Sequence, residues 1–370
     1  MRFRLGRRAE EDAGSVRTLA PHDADGALEL AATLTRDGRV FDAIEMLSAA
    51  NRVSRDPRVE TQLLELRYDA MSQIAWDRER PSWPSDVEDL FPGVEGIPEV
   101  PAADLSAETI RSGIEHHGSL LVRGLVQGER VAQLVADIDR VFAGYDARAR
   151  GAAAEETAPW FAPFAQYPDW IARRWARDGG GVLTVDSPPA MFDVIEAFEE
   201  SGLGEVVGDY LGERPVLLAK KWTLRRVPHD AGVADWHQDG AFMGRDIRAL
   251  NVWLSLSHCG DDAPGIDVVS RRLDDIAPTG VEGARLNWTV GPGTVERLAA
   301  GRVVRPIFGP GDALLFDHMM LHRTAVDAGM TRDRYAIESW FLAPSTYGSM
   351  KAGGDKDDPT RPRDQLPVVY

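Results

Sequence analysis

Cysteine is almost missing from this chain. Cys259 is the only one in 370 residues, so no disulfide can close within the sequence. That scarcity fits a reducing compartment. Lysine is nearly as rare, confined to Lys220, Lys221, Lys351 and Lys356; the other basic residues are arginine, which reads as coding bias rather than chemistry. A basic surplus is lacking too. The formal net charge is -17, which argues against a nucleic-acid or membrane-surface partner, both of which call for basic patches. No apolar run approaches the length of a membrane span, and the opening MRFRLGRRAEEDAG has no apolar segment of the signal-peptide kind. The expectation is a cytoplasmic protein that binds neither membrane nor nucleic acid.

What is present is ordinary for a soluble domain, with 44% hydrophobic and 27% charged residues. The length allows one large domain and a smaller unit. Residues 1–23 are charged and aperiodic, a flexible tail. Residues 24–80 have helical periodicity: Leu28, Leu30, Ala31 and Leu34 share one face, Phe41, Ile44, Leu47 and Ala50 a second, and Pro57 opens a third run. The order of Gly38, Ala43, Leu47, Ala50 and Pro57 resembles one tetratricopeptide-type (TPR-like) hairpin with a following helix. About three such repeats are needed to stand alone, so this arm either caps the main domain or serves protein contact or self-association.

Proline and acid clustering marks 81–103 as a linker. A second unit, 104–347, then begins with a helix started at Ser106 and Glu108, a strand at 119–124 and an amphipathic helix over 128–148. Residues 150–180 read as a packed aromatic insert, and a further helix is expected near 190–211. From about 215 to 342 the periodicity becomes that of short strands separated by Gly, Pro and Asp turns. Strands are expected at 216–227, 248–257, 266–269, 302–308, 313–316 and 334–341. The fold class is therefore α+β with a mainly β core: a double-stranded β-helix (jelly roll, cupin-like) flanked by helices, with the helical arm in front. Residues 348–370 read as a C-terminal tail.

The chemistry gathers at Trp236-His237-Gln238-Asp239-Gly240. Residues i and i+2 of a strand share a face about 6.5 Å apart, close enough for His237 and Asp239 to meet on one metal ion. Two histidines and one carboxylate form the ligand set of a non-haem iron(II) oxygenase, which leaves positions open for co-substrate and dioxygen. A third ligand is then required from a late strand. The segment from Gly309 to Thr324 offers His318 and His322.

The runs WHQDGAFMG, NVWLSLS, APGIDVV, GDALLFDHMMLHRT and RYAIESWF, in that order, resemble the phytanoyl-CoA dioxygenase-like group of Fe(II)/2-oxoglutarate-dependent oxygenases. The resemblance covers about residues 215–342, is echoed by the helix-strand-helix at 106–148, and leaves out the arm. It implies His237, Asp239 and His322 as metal and catalytic ligands, with Fe(II), 2-oxoglutarate and O2 as cofactor and co-substrates. Arg334 is implied as partner of the far carboxylate of 2-oxoglutarate, with Arg332 its rival. Thr324, Gln238, Trp253 and Thr223 fall where the family contacts the co-substrate. His318 reads as a packed histidine.

Two departures stand out. The Pro-Gly-Ser-His run is replaced by APGIDVV leading into Ser270-Arg271-Arg272, and the Gly-Ser and Asn pattern after the distal histidine by Arg323-Thr324-Ala-Val-Asp327. A phytanoyl-CoA substrate is therefore not implied. Asp239 occupies the position that related halogenases leave small for halide, which disfavours halogenation. The leading expectation is hydroxylation of a small organic metabolite. Desaturation, epimerisation or cyclisation at the same site is the alternative, followed by a non-catalytic binding protein recruited through the arm.

Overall fold

Three helices, two of them capped by aspartates, open the described part of the computed structural model, which describes residues 23–74, 87–350 and 365–370. Asp23 caps α1 (Ala24–Arg36), its carboxylate accepting from the Gly26 N–H at 2.7 Å. After α2 (Val40–Val53), Asp56 caps α3 (Pro57–Asp69), where Pro57 occupies a first-turn position that needs no N–H. The tail at 1–22, the linker start at 81–86 and the stretch 351–364 lie outside the described residues.

The linker reading ends sooner than expected, because Glu99–Pro101 (β1) lies parallel to β2 (Ser119–Arg123) in the main sheet. Between them, α4 (Ala107–His117) is capped by Ser106, whose reciprocal partner is Thr109 rather than Glu108. Gly118 closes α4 at φ 82°, and a Cβ there would lie 2.6 Å from the carbonyl carbon of Arg271. Then follow α5 (Gly128–Ala149), α6 (Trp170–Asp178) and β3 (Gly181–Leu183). The single helix expected near 190–211 is two, α7 (Pro188–Glu200) and α8 (Leu203–Leu211), divided where Gly202 turns to φ 72°. The aromatic insert is packed in part: Phe161 and Phe164 are buried, whereas Trp175 stands exposed.

The strand expected over 216–227 is also interrupted. A 3-10 turn at Ala219–Lys221 separates β4 (Val216–Leu218) from β5 (Thr223–Val227). Then come β6 (Ala249–Ser255), β7 (Gly265–Val269), β8 (Val303–Val304), β9 (Ala313–Phe316), β10 (His322–Ala325), β11 (Arg334–Leu342) and β12 (Pro367–Val369). The segment expected as a strand over 302–308 keeps only two paired residues, with Pro306, which lacks an N–H, between them and an isolated bridge at Phe308.

These strands form a nine-stranded sheet in the order β1-β2-β9-β6-β11-β4-β12, with β5 also on β11 and β3 on β5. A three-stranded sheet, β10-β7-β8, lies across from it. The two meet where the Phe316 ring of the large sheet lies 5.1 Å from that of His322 in the small one. This is a mixed α/β fold with a large helix-flanked sheet, compatible with a jelly-roll core.

The arm is seated on this body. Arg55 bridges Glu60 at 2.9 Å to Asp193 and Glu196 of α7 at 2.7 and 2.8 Å. Arg67 of α3 donates to the Val369 carbonyl at 2.9 Å. The apolar residues Ala27, Leu47 and Leu63 belong to the same core cluster as the large sheet. The end of the chain differs from a tail: Leu366, Val368 and Val369 are buried, and β12 pairs with β4. Three residues are too few for alternation to reveal a strand.

Candidate metal and co-substrate site

His237 and His322 are joined before any metal is considered. Each backbone N–H donates to the other's carbonyl at 3.0 Å, an isolated antiparallel bridge that extends the small sheet. The imidazoles lie 4.4 Å apart between ring centres. Asp239 is not on that strand: its backbone is already helical (φ -64°, ψ -26°), leading into the one-turn helix Gly240–Met243. The turn, rather than strand alternation, brings its carboxylate round, and the ligand atoms of His237, Asp239 and His322 all lie within 4.8 Å of one another.

Both imidazoles are oriented through their far nitrogens. Nδ1 of His237 lies 3.0 Å from the Asp235 carbonyl, and Nδ1 of His322 lies 3.1 Å from that of Met320. With Nδ1–H donating to a carbonyl, Nε2 carries the lone pair that a metal needs. Burial, reinforced by the neighbouring His237, lowers the His322 pKa to about 4 and keeps it neutral at physiological pH. Burial pushes the Asp239 carboxyl up, but the charge of Lys221 and its hydrogen bond outweigh it and hold the group ionised.

Asp239 divides its oxygens. Oδ1 accepts from Lys221 Nζ at 2.6 Å, while Oδ2 is buried with no hydrogen-bond partner, 3.6 Å from His322 Nε2. Even with Lys221 on the other oxygen, a buried carboxylate oxygen without a donor costs roughly 1–3 kcal/mol unless a further donor or a metal answers it. The donor set of two imidazoles whose Nδ1 atoms face carbonyls and one ionised carboxylate fits Fe(II).

Arg334 poses the same problem with opposite sign. Its side chain is only 2% exposed, its Nε is buried with no partner, and no carboxylate forms an ion pair with it among the described residues. Burial, with Arg225 adding repulsion, lowers its pKa to about 10. The guanidinium lies over Trp253, 5.2 Å from the ring centre, and Nη1 donates to the Gly265 carbonyl at 2.8 Å. Gly265 pairs with Ala325, three residues beyond His322, so the guanidinium reaches the small sheet roughly 10 Å along β10 from the imidazole. Arg332, by contrast, is exposed and bonds to Asp262 at 3.3 Å.

The remaining expected contacts are distributed unevenly. Thr324, two residues after His322 on β10, is half-buried. Trp253 is buried between Arg334 and the Phe308 ring, whose centre lies 4.8 Å away. Thr223 is buried on β5, opposite Glu338. Gln238 does not present its amide to the site. Its Nε2 donates to the Met319 carbonyl and its Oε1 accepts from the Ala277 N–H, both at 2.6 Å, so it clamps two segments together. His318 packs behind the site, its Nε2 2.8 Å from the Arg245 carbonyl, while its own carbonyl accepts from the Gly240 N–H at 2.8 Å.

Three groups stand out from the structure alone. Lys221 holds Asp239, Glu338 pairs with Arg225 at 2.6 Å, and Asn251 is buried with both amide atoms lacking a hydrogen-bond partner. Asn251 lies opposite Phe316, the residue that touches His322. A lone amide in the apolar run of β6 was the available signal for it.

No protein-family model matches the sequence, and no curated protein matches it. Among solved structures the chain is similar to a non-haem α-ketoglutarate-dependent carbocyclase, SnoK, from nogalamycin biosynthesis. The identity is 11% over 67% of this chain and 87% of that one, with a TM-score of 0.45. It is also similar to EctD from S. alaskensis with 2-oxoglutarate and 5-hydroxyectoine (15%, 70% and 87%, 0.45). A third is EvdO2 from Micromonospora carbonacea var. aurantiaca complexed with 2-oxoglutarate (14%, 68% and 94%, 0.43). The side chains, rather than this likeness, define the site. No helix among the described residues is long and apolar enough to cross a membrane.

Proposed function

We propose that this protein is a non-haem Fe(II)/2-oxoglutarate-dependent oxygenase that hydroxylates a C–H bond of a small organic molecule. The observation that carries the reading is the pairing of one carboxylate oxygen without a donor and one guanidinium without a counter-ion in one interior. A buried carboxylate oxygen waits beside two metal-ready imidazoles, and a buried guanidinium without a counter-ion reaches the same small sheet. A dicarboxylate held by the metal at one end and by Arg334 at the other satisfies both.

His237, Asp239 and His322 would hold the iron, and when bound the iron and 2-oxoglutarate supply the oxidising chemistry, with succinate and carbon dioxide as by-products. The protein positions and shields. Arg334 offers its fork to both oxygens of the far carboxylate, each charge-assisted bond contributing roughly 1.5–3 kcal/mol. Trp253 fixes the guanidinium plane from below. Thr324 is suited to add a hydroxyl to the same carboxylate. Lys221 occupies Oδ1 of Asp239, leaving Oδ2 for the metal. Asp239 itself fills the ligand position that halide would need, which favours hydroxylation over halogenation.

The helices at 24–73 act, in this reading, as a cap on the oxygenase unit rather than a separate module, because they share its core. To test the assignment, the purified protein is supplied with Fe(II), 2-oxoglutarate and dioxygen, and uncoupled succinate is measured. Succinate should appear slowly and fall to background in His237→Ala, Asp239→Ala and His322→Ala. Succinate that persists in all three variants overturns the assignment.

A further inference from the structure

The site is closed on most sides but not all. Asp239 and His322 are buried, whereas His237 is only half-buried. Two aromatic rings follow from Asp239, the first through Lys221, whose Nζ meets both that carboxylate and the Phe242 ring. Phe242 follows Asp239 by three residues, and its ring centre lies 5.6 Å from that of Trp288, which is 38% exposed. Trp288 does not hang loose at that position. The Val290 N–H donates to the Trp236 carbonyl at 2.8 Å, tying the segment to the metal-binding motif. On the other side, the Thr289 hydroxyl donates to the Leu286 carbonyl at 3.1 Å. A tryptophan held open to water beside a reactive centre is a surface shaped for an apolar flat partner.

Charge adds a second specification. Lys221 Nζ bonds to Asp239 and lies 5.0 Å from the centre of the Phe242 ring. Around the mouth, Arg245 pairs with Asp275 and Arg285 with Asp235, so these cancel. Inside, Glu338 and Arg225 cancel likewise. On the reading that the site holds Fe(II) and 2-oxoglutarate, the metal, Asp239, the two carboxylates of the co-substrate and Arg334 sum to neutrality. The ammonium of Lys221, bonded to Asp239 and set over the Phe242 ring, then gives the filled site one net positive charge.

We propose that the substrate is a flat, largely apolar ring system bearing a single acidic group, its ring lying against Phe242 and Trp288 and its acid meeting Lys221. The ring gains contact area on rigid aromatic walls at little entropic cost. The acid balances the net positive charge that, among the described residues, Lys221 gives the filled site beyond its bond to Asp239. This inference rests on the oxygenase reading for its charge count, but the aromatic wall stands without it.

The test uses 2-naphthoate as a probe, titrated calorimetrically and anaerobically into the full-length protein, with and without Fe(II) and 2-oxoglutarate. Octanoate (same charge, flexible chain) and naphthalene-2-carboxamide (same ring, no charge) serve as comparisons. In the loaded protein, saturable binding of 2-naphthoate at least tenfold tighter than either is expected. Trp288→Ala should weaken 2-naphthoate about tenfold and Trp288→Phe much less. Trp175→Ala, an exposed tryptophan elsewhere, should leave it unchanged. Lys221→Met should erase the preference for the acid over the amide while keeping the preference for the ring over the chain; metal content is measured alongside. Equal binding of octanoate and 2-naphthoate, or indifference to Trp288→Ala, overturns the proposal. Titrated separately, 2-oxoglutarate separates the two readings. Its failure to bind sinks the oxygenase reading and with it the acid requirement, whereas ring preference is still read in the unloaded protein.

Discussion

Arg334 carries more of the functional reading than any one of the candidate metal ligands, because a buried guanidinium needs an anion that the described fold does not supply. Replacing it with leucine removes the uncompensated charge. Stability should therefore hold or rise slightly, while 2-oxoglutarate affinity falls at least 100-fold, measured by calorimetry with Fe(II) present. Arg332→Ala, at an exposed position already paired to Asp262, should change that affinity less than twofold. At this scale the sequence was informative where chemistry is rare. Two histidines, an aspartate and an arginine in family order single out His237, Asp239, His322 and Arg334 as candidates, and the first three gather within 4.8 Å of one another. It was silent where chemistry depends on burial. Lys221 has no spacing signature, and the pairing of Glu338 with Arg225 exists only because β11 and β5 are neighbours. The clamp made by Gln238 is hidden for the same reason: which way an amide points beside a turn is a tertiary fact.

Gln238 also shows what an element needs to be useful. The segment around Ala277 and the turn at Met319 have no strand pairing with each other, and the Gln238 side chain ties both to the motif. Gln238→Leu leaves the Ala277 N–H and the Met319 carbonyl without their partners. A loss of roughly 2 kcal/mol is expected, read as a lower Tm, with the 2-oxoglutarate Kd within about threefold of the parent. A large change in that Kd with unchanged Tm would restore Gln238 as a co-substrate contact. Element boundaries were legible where a local signal exists, as at β9 and at the Ser106 cap of α4. They were missed where the backbone turns without one. The 3-10 turn at Ala219–Lys221 is built from residues compatible with a strand, yet it delivers Lys221 to Asp239.

Across the whole molecule, the alternation of strands and turns from 215 onward showed the mainly β core, but not its division into nine strands and three. That division follows from pairing partners distant in sequence, such as β2 with β9. The arm was legible as helices and not as a cap, since what covers an apolar face is decided elsewhere in the chain. Here it is decided partly by β12. Val368 and Val369 are each 1% exposed, and β12 joins α3 to the large sheet through β4. The double substitution Val368→Ala and Val369→Ala should cost roughly 2 kcal/mol or more and lower the Tm, with protease sensitivity rising first in residues 57–73.

The seam between α3 and β12 also dictates a timetable. Helices at residues 24–69 leave the ribosome before the strand on which α3 rests, which is made some 300 residues later. Until then the apolar face of the arm must wait uncovered or find temporary shelter. Contacts so distant along the chain are slow to close. Pulse-labelled amide exchange during refolding should find α3 acquiring protection only when β4 and β12 do. Protection of α3 well ahead of β12 would show that the arm completes itself without the far end of the chain.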